Sequence, residues 1–72
     1  NAAVLAYIRQ HEDESILVVN NLSSSPQLVA LGLAPFFGSS PRDILSGASL
    51  PSIADKSYIL ALAPYQVLWL LL

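Results

Sequence analysis

Ser15-Ile16-Leu17-Val18-Val19-Asn20-Asn21-Leu22-Ser23-Ser24-Ser25 is the stretch whose reading decides the fold. Four consecutive leucine or β-branched side chains are too few for a helix standing alone, and they suit a strand covered on both faces. Ile16, Val18 and Asn20 alternate with Leu17, Val19 and Asn21, so each face receives apolar groups and an asparagine. Asparagine is poor inside strands, because its short amide bonds to the backbone two residues on. Asn20 and Asn21 therefore predict the strand's end, and the serines predict a turn. A strand of this kind belongs in the middle of a sheet. Val18→Asp is accordingly expected to abolish folding, by burying an unpaired charge.

Working outward, Ala3–Gln10 reads as a strand with Val4, Ala6 and Ile8 on one face and Leu5, Tyr7 and Arg9 on the other. The polar residues 11–15 between these two apolar runs predict a hairpin loop of about three to five residues, which makes the first strand the antiparallel neighbour of the central one. Ser23–Pro26 predicts a connecting turn, since proline cannot donate to a ladder. Gln27–Leu33 predicts a strand with Val29, Leu31 and Leu33 inward and the smaller set Leu28, Ala30 and Gly32 outward. Pro35 ends it, and adjacent Phe36 and Phe37 must diverge, one into the core and one to an edge or partner. A short strand is predicted near Arg42–Ser46, followed by a loop anchored by Leu50 and Ile53. After a polar turn at Asp55-Lys56-Ser57, Tyr58, Leu60 and Leu62 alternate with Ile59, Ala61 and Ala63. Pro64-Tyr65 then turns the chain into a last strand with Val67, Trp69 and Leu71 on one face. Six or seven short strands punctuated by Gly, Pro and Ser predict an all-β fold, a small antiparallel sandwich or barrel.

Composition narrows the function. A chain of 72 residues forms one domain with a marginal core. It has no cysteine and one histidine, so neither disulfides nor a structural metal can reinforce it. Its hydrophobic fraction is nevertheless 54%, above the about 45–50% that is usual even with glycine counted. Some of these side chains must lie on the surface, where they form a contact patch, and the isolated chain is expected to self-associate through it. Net charge is −2, with Arg9, Arg42 and Lys56 scattered, which argues against nucleic acid. The apolar run Ile59–Leu72 is interrupted by Pro64, Tyr65 and Gln66 and falls short of the roughly 18–20 residues of a spanning helix, so no membrane partner is expected. The first residues lack a secretory pattern, and there is no methionine, which leads to the expectation that the chain begins inside a longer one.

No catalytic constellation stands out. His11 with Asp13 or Glu14 could pair a base with an orienting carboxylate, but a loop tip between strands reads as a solvated turn. The serines 23–25 have no Gly-x-Ser-x-Gly elbow around them. Asn21-Leu22-Ser23 fits the N-glycosylation pattern, a short and unspecific match.

The ordered set Val4-Leu-Ala-Tyr-Ile-Arg-Gln10, the acidic turn, Ile16-Leu-Val-Val-Asn-Asn-Leu-Ser23 and Leu62-Ala-Pro-Tyr-Gln-Val-Leu-Trp69 resembles the C-terminal β domain of family 13 glycoside hydrolases, the α-amylase superfamily. Within that superfamily it is most similar to the bacterial trehalose synthases (maltose α-D-glucosyltransferases). The resemblance runs from about Val4 to Trp69. It implies a Greek-key β-sandwich, residues 1–72, packed on a catalytic (β/α)8 barrel of the same polypeptide, in a bacterial cytoplasmic enzyme. The acidic residues that do the family's chemistry belong to that barrel, so Asp13, Asp43 and Asp55 inherit no catalytic role and no cofactor or metal is implied. Two functions follow as expectations: a non-catalytic domain that stabilises the barrel, or an accessory module that binds α-glucan. For either, Phe37, Tyr58, Tyr65 and Trp69 are the candidate sugar-stacking or domain-interface aromatics.

Overall fold

The computed structural model describes residues 2–54 and 57–72. Six strands follow in order: β1 (Val4–His11), β2 (Glu14–Asn21), β3 (Gln27–Leu31), β4 (Arg42–Asp43), β5 (Tyr58–Leu62) and β6 (Val67–Leu71). They form two antiparallel sheets, one of four strands in the order β1-β2-β6-β4 and one of two strands, β3-β5. The all-β antiparallel sandwich expected from the sequence is the fold observed, and β2 lies inside its sheet with β1 on one side and β6 on the other.

The core lies between the sheets. Leu17 and Val19 of β2 and Leu68 and Leu70 of β6 meet Val29 of β3 and Tyr58, Leu60 and Leu62 of β5, with Leu33 and Ile53 closing the ends. Each fully buried aliphatic side chain of this kind contributes about 1.5–3 kcal/mol. The period-2 pattern of β5 is the cleanest in the chain, with residues 58, 60 and 62 buried and 59 and 61 exposed. Val29 and Leu33 point inward as expected, while Leu28, Ala30 and Gly32 face out.

Three boundaries differ from the sequence reading. The β1–β2 hairpin pairs His11 with Glu14, leaving only Glu12 and Asp13 in the loop. Glu12 takes φ +56 there, matching the φ pattern of a type II′ turn, which follows strand twist but is usually given to glycine. β3 stops at Leu31, and a 3₁₀ turn at Ala34–Phe36 with proline in its first turn follows. The strand expected near Arg42–Ser46 is only two residues long. Asp43 bends the chain out of the sheet: its carboxylate accepts from Leu45 N–H (3.0 Å) and the Ser46 hydroxyl (2.9 Å), and its carbonyl accepts from Gly47 N–H (2.6 Å). Side-chain to backbone bonds thus outcompete the ladder, and Gly47 supplies the positive φ (+80) that the turn needs. Of the polar turn expected at residues 55–57, Asp55 and Lys56 lie outside the described residues.

Phe36 packs against the core and Phe37 is left exposed, the split expected of adjacent aromatics. Leu50 and Ile53 anchor the long loop.

Candidate functional site

Asn21 fixes the seam between the two sheets. It is 2% exposed, and its amide is fully employed. Its Nδ2 donates to the carbonyls of Ser25 and Ala63, each at 2.9 Å, and its Oδ1 accepts from Ser23 N–H at 3.0 Å. One side chain therefore holds both the serine turn after β2 and the Pro64-Tyr65 corner between β5 and β6. Ser23 adds a main-chain bond to that corner by accepting from Tyr65 N–H at 3.0 Å. The glycosylation reading of Asn21 fails here, since the nitrogen a sugar would need is committed to two carbonyls.

The register then determines which side chains share the outer face of the four-stranded sheet. Residues paired across an antiparallel ladder point to the same side. Leu5, Asn20 and Val67 form one row across β1, β2 and β6; Tyr7, Val18 and Trp69 form the next. A third row, Arg9, Ile16, Leu71 and Arg42, crosses all four strands. The first two rows carry five apolar or aromatic side chains and one amide. Val18 is buried, 2% exposed, yet it stands outside the cluster between the sheets. Its direct neighbours Tyr7 and Trp69 flank it on either side, so it is covered from within its own face. Leu5, Tyr7 and Val67 remain between 44% and 48% exposed. At the Arg9 end a cleft of about 360 Å³ is lined by Arg9, Gln10, His11, Ile16 and Trp69.

A second apolar surface lies on the opposite side of the molecule. Leu28 and Ala30 of β3 stand beside Ala61 and Ile59 of β5, and Leu28 and Ile59 are the most exposed large side chains of the pair. Among the described residues this face carries no charge and no aromatic group. At its end, Pro26, Gln27, Leu28 and residues 61–64 line a depression of about 410 Å³.

The four candidate aromatics occupy four different places. Tyr58 is buried in the core, its hydroxyl donating to the Pro51 carbonyl at 2.5 Å, and burial pushes its phenol above the ordinary tyrosine pKa. Phe37 is exposed after the 3₁₀ turn, and Tyr65 is exposed at the β5–β6 corner, where it takes φ +55. Trp69 is half-buried on the outer face of the four-stranded sheet. The other ring of its row, across Val18, is Tyr7, which the sequence reading does not single out; the signal lies in the alternation of β1, whose Leu5-Tyr7 face matches the Val67-Trp69 face of β6. His11 sits at the hairpin tip, its side chain 85% exposed and 4.0 Å from Glu12, in agreement with a solvated turn. Among the described residues no group of acids and histidines could hold a metal ion, and no helix is long and apolar enough to cross a membrane.

Comparison with known proteins shows what this arrangement is similar to. The profile of a family described as the maltogenic amylase C-terminal domain matches residues 1–69. A trehalose synthase of Pimelobacter sp. is 37% identical over 96% of the chain, one from Thermus thermophilus is 40% identical over 90%, and a trehalose synthase/amylase of Mycobacterium tuberculosis is 33% identical over 96%. The chain spans only 13%, 7% and 12% of those three bacterial proteins' lengths. Among solved structures, that of AmyP in complex with maltose superposes with a TM-score of 0.82 at 22% identity, over 99% of this chain and 14% of AmyP. At that identity the likeness concerns the fold.

Proposed function

The chain belongs to the maltogenic amylase C-terminal domain family, and from that premise we propose that it is a non-catalytic domain which packs on and stabilises the catalytic (β/α)8 barrel of a trehalose synthase-like polypeptide. The observation that carries this reading is the mismatch between core and surface. A domain of this size has little interior, yet both of its sheets turn apolar rows outward. Such rows are costly in a free monomer and ordinary in an interdomain contact, which buries about 600–1,500 Å². The small share of each relative that the chain spans accords with an accessory part of a much larger molecule. The relatives are bacterial, and the reading extends to a parent enzyme of the bacterial cytoplasm.

Deleting residues 4–71 from the full-length polypeptide tests it. The expected result is a fall in the melting temperature of the remaining barrel and faster thermal inactivation, with the reaction itself retained at low temperature. A truncated enzyme that melts and inactivates like the intact one would sink the reading.

An α-glucan-binding role is the alternative. It would rest on the exposed rings of Phe37 and Tyr65 and on Trp69, and AmyP, the structural neighbour, was solved with maltose. Tyr58 is sealed in the core and offers no face for stacking. Titration of the ¹⁵N-labelled chain with maltooligosaccharide distinguishes the two: the packing role predicts no chemical-shift change at the amides of Phe37 and Tyr65 or at the Trp69 indole N–H, and the binding role predicts saturable changes there.

A further inference from the structure

The molecule has two outward apolar faces, and a packing domain needs only one for its barrel. We propose that the four-stranded sheet is the docking face, and that its occupant is a surface of the same polypeptide with an apolar centre and carboxylates at its margin. The proposal rests on the packing role argued above and names the surface that performs it.

Residue chemistry separates the faces. Contact surfaces are enriched in tyrosine, tryptophan and arginine at their energetic centres, because rigid rings lose little entropy and guanidinium groups pair in two directions at once. The four-stranded face has Tyr7 and Trp69 flanking buried Val18, a preformed hydrophobic centre. Among the described residues the two-stranded face has only aliphatic side chains, Leu28, Ala30, Ile59 and Ala61.

Charge points the same way. The chain is acidic overall and has three basic side chains. Two of them, Arg9 and Arg42, stand at opposite ends of one row, with Ile16 and Leu71 between them. Three strand spacings put those ends about 14 Å apart. Among the described residues neither guanidinium has an ion pair, and both are exposed. One row farther out are His11 and Glu14 of the hairpin, and Glu14 makes no ion pair with Arg9. Two unpaired cations bracketing an apolar strip are complementary to a partner that offers carboxylates on either side of its own apolar patch. The size fits as well. Two rows over three strands and one over four, with side-chain margins, give roughly 350 Å² per side, or about 700 Å² over both partners, within the interdomain range. The partner is the rest of the polypeptide because the chain is a tenth or so of each relative that it matches.

The absence of cysteine from the chain provides the test. Single reporters Leu5→Cys and Val67→Cys on the proposed face, and Leu28→Cys and Ile59→Cys on the other, are introduced into the full-length polypeptide in an otherwise cysteine-free background. Thiol alkylation is timed natively and in denaturant, and the ratio is the protection of each site. The expected result is protection at residues 5 and 67 at least about tenfold above that at residues 28 and 59. Protection at 28 and 59 alone, or at all four positions, would overturn the choice of face while leaving the packing role intact. Near-denatured rates at all four would overturn the packing role itself. Arg9→Glu with Arg42→Glu should lower the protection at 5 and 67 by about tenfold, and Arg→Lys at both should preserve it. Unchanged protection in the glutamate variant would remove the carboxylate margin from the proposal.

Discussion

The two faces of the four-stranded sheet are built from the same strands and end in opposite states. Inward, Leu17, Val19, Leu68 and Leu70 are sealed by the second sheet. Outward, Val18 is equally inaccessible, yet it stands outside the inter-sheet cluster, with the rings of Tyr7 and Trp69 as its cross-strand neighbours. Fractional exposure does not distinguish Val18 from Val19, whereas the agent of burial does. A residue covered by its neighbours on one open face belongs to a surface cluster, and such a cluster is what a partner surface completes.

Charge insertion is the strongest way to break that comparison. Val19→Asp is expected to leave no cooperative transition, because the carboxylate has no route to water and the cost exceeds about 4 kcal/mol in a domain whose whole stability is about 4–11 kcal/mol. The sequence reading expects the same of Val18→Asp. The outward placement of Val18 lowers that expectation, since Tyr7 and Trp69 need only swing aside to admit solvent. Val18→Asp should therefore keep a cooperative melt at reduced temperature. Circular dichroism melts of both variants check the order, and an equal loss would mean the outer face is as closed as the core.

The seam comes next. Asn21→Ala leaves the Ser23 N–H without its acceptor, while the Ser25 and Ala63 carbonyls keep the Ser23 hydroxyl (3.0 Å) and the Gln66 N–H (3.1 Å) as donors, with an expected loss of about 1–3 kcal/mol. Urea unfolding should show a lower midpoint with an unchanged slope. A loss under about 0.5 kcal/mol would mean that water replaces the amide at the seam.

The outer face can also be challenged through association. The isolated chain, with its docking face uncovered, is expected to self-associate as concentration rises. Leu5→Lys with Val67→Lys should return it to monomer in light scattering, whereas Leu28→Lys with Ile59→Lys should do so less, with melting curves confirming that both variants stay folded. A monomeric parent chain at all concentrations would contradict the contact-patch expectation.

Much of this contrast is legible in the sequence. The run Ile16–Val19 required a central strand, Asn20-Asn21 required its end, and the alternation of Tyr58–Leu62 oriented β5 without ambiguity. What escaped was set by long-range register. Nothing local to residues 7, 18 and 69 says that they share a row, so the sequence does not pair Tyr7 with Trp69, and it does not separate buried Tyr58 from the exposed rings. Two local misreadings have local causes. Glutamate in a left-handed turn position carries no sequence signature, so the hairpin read as longer than its two residues. Aspartate at a strand's second residue can capture the N–H two residues on, so β4 is shorter than its sequence suggests.

The smallest effect concerns Tyr58, the aromatic that fell on the inner side. Burial raises its pKa above the ordinary tyrosine value, so above about pH 10 the unfolded phenol ionises while the folded one keeps its proton. The folded state then binds more protons than the unfolded state, and stability falls as pH rises from about 10 toward the folded pKa; below about 10 the contribution is fully present. Tyr58→Phe should cost about 0.5–1.5 kcal/mol at neutral pH through the lost bond to Pro51. It should also flatten the alkaline decline, so that variant and parent converge as pH rises past 10 in parallel denaturant titrations. A constant gap between them across that range would show that the phenol is reached by hydroxide in the folded state, and would move Tyr58 from the sealed face of the comparison to the open one.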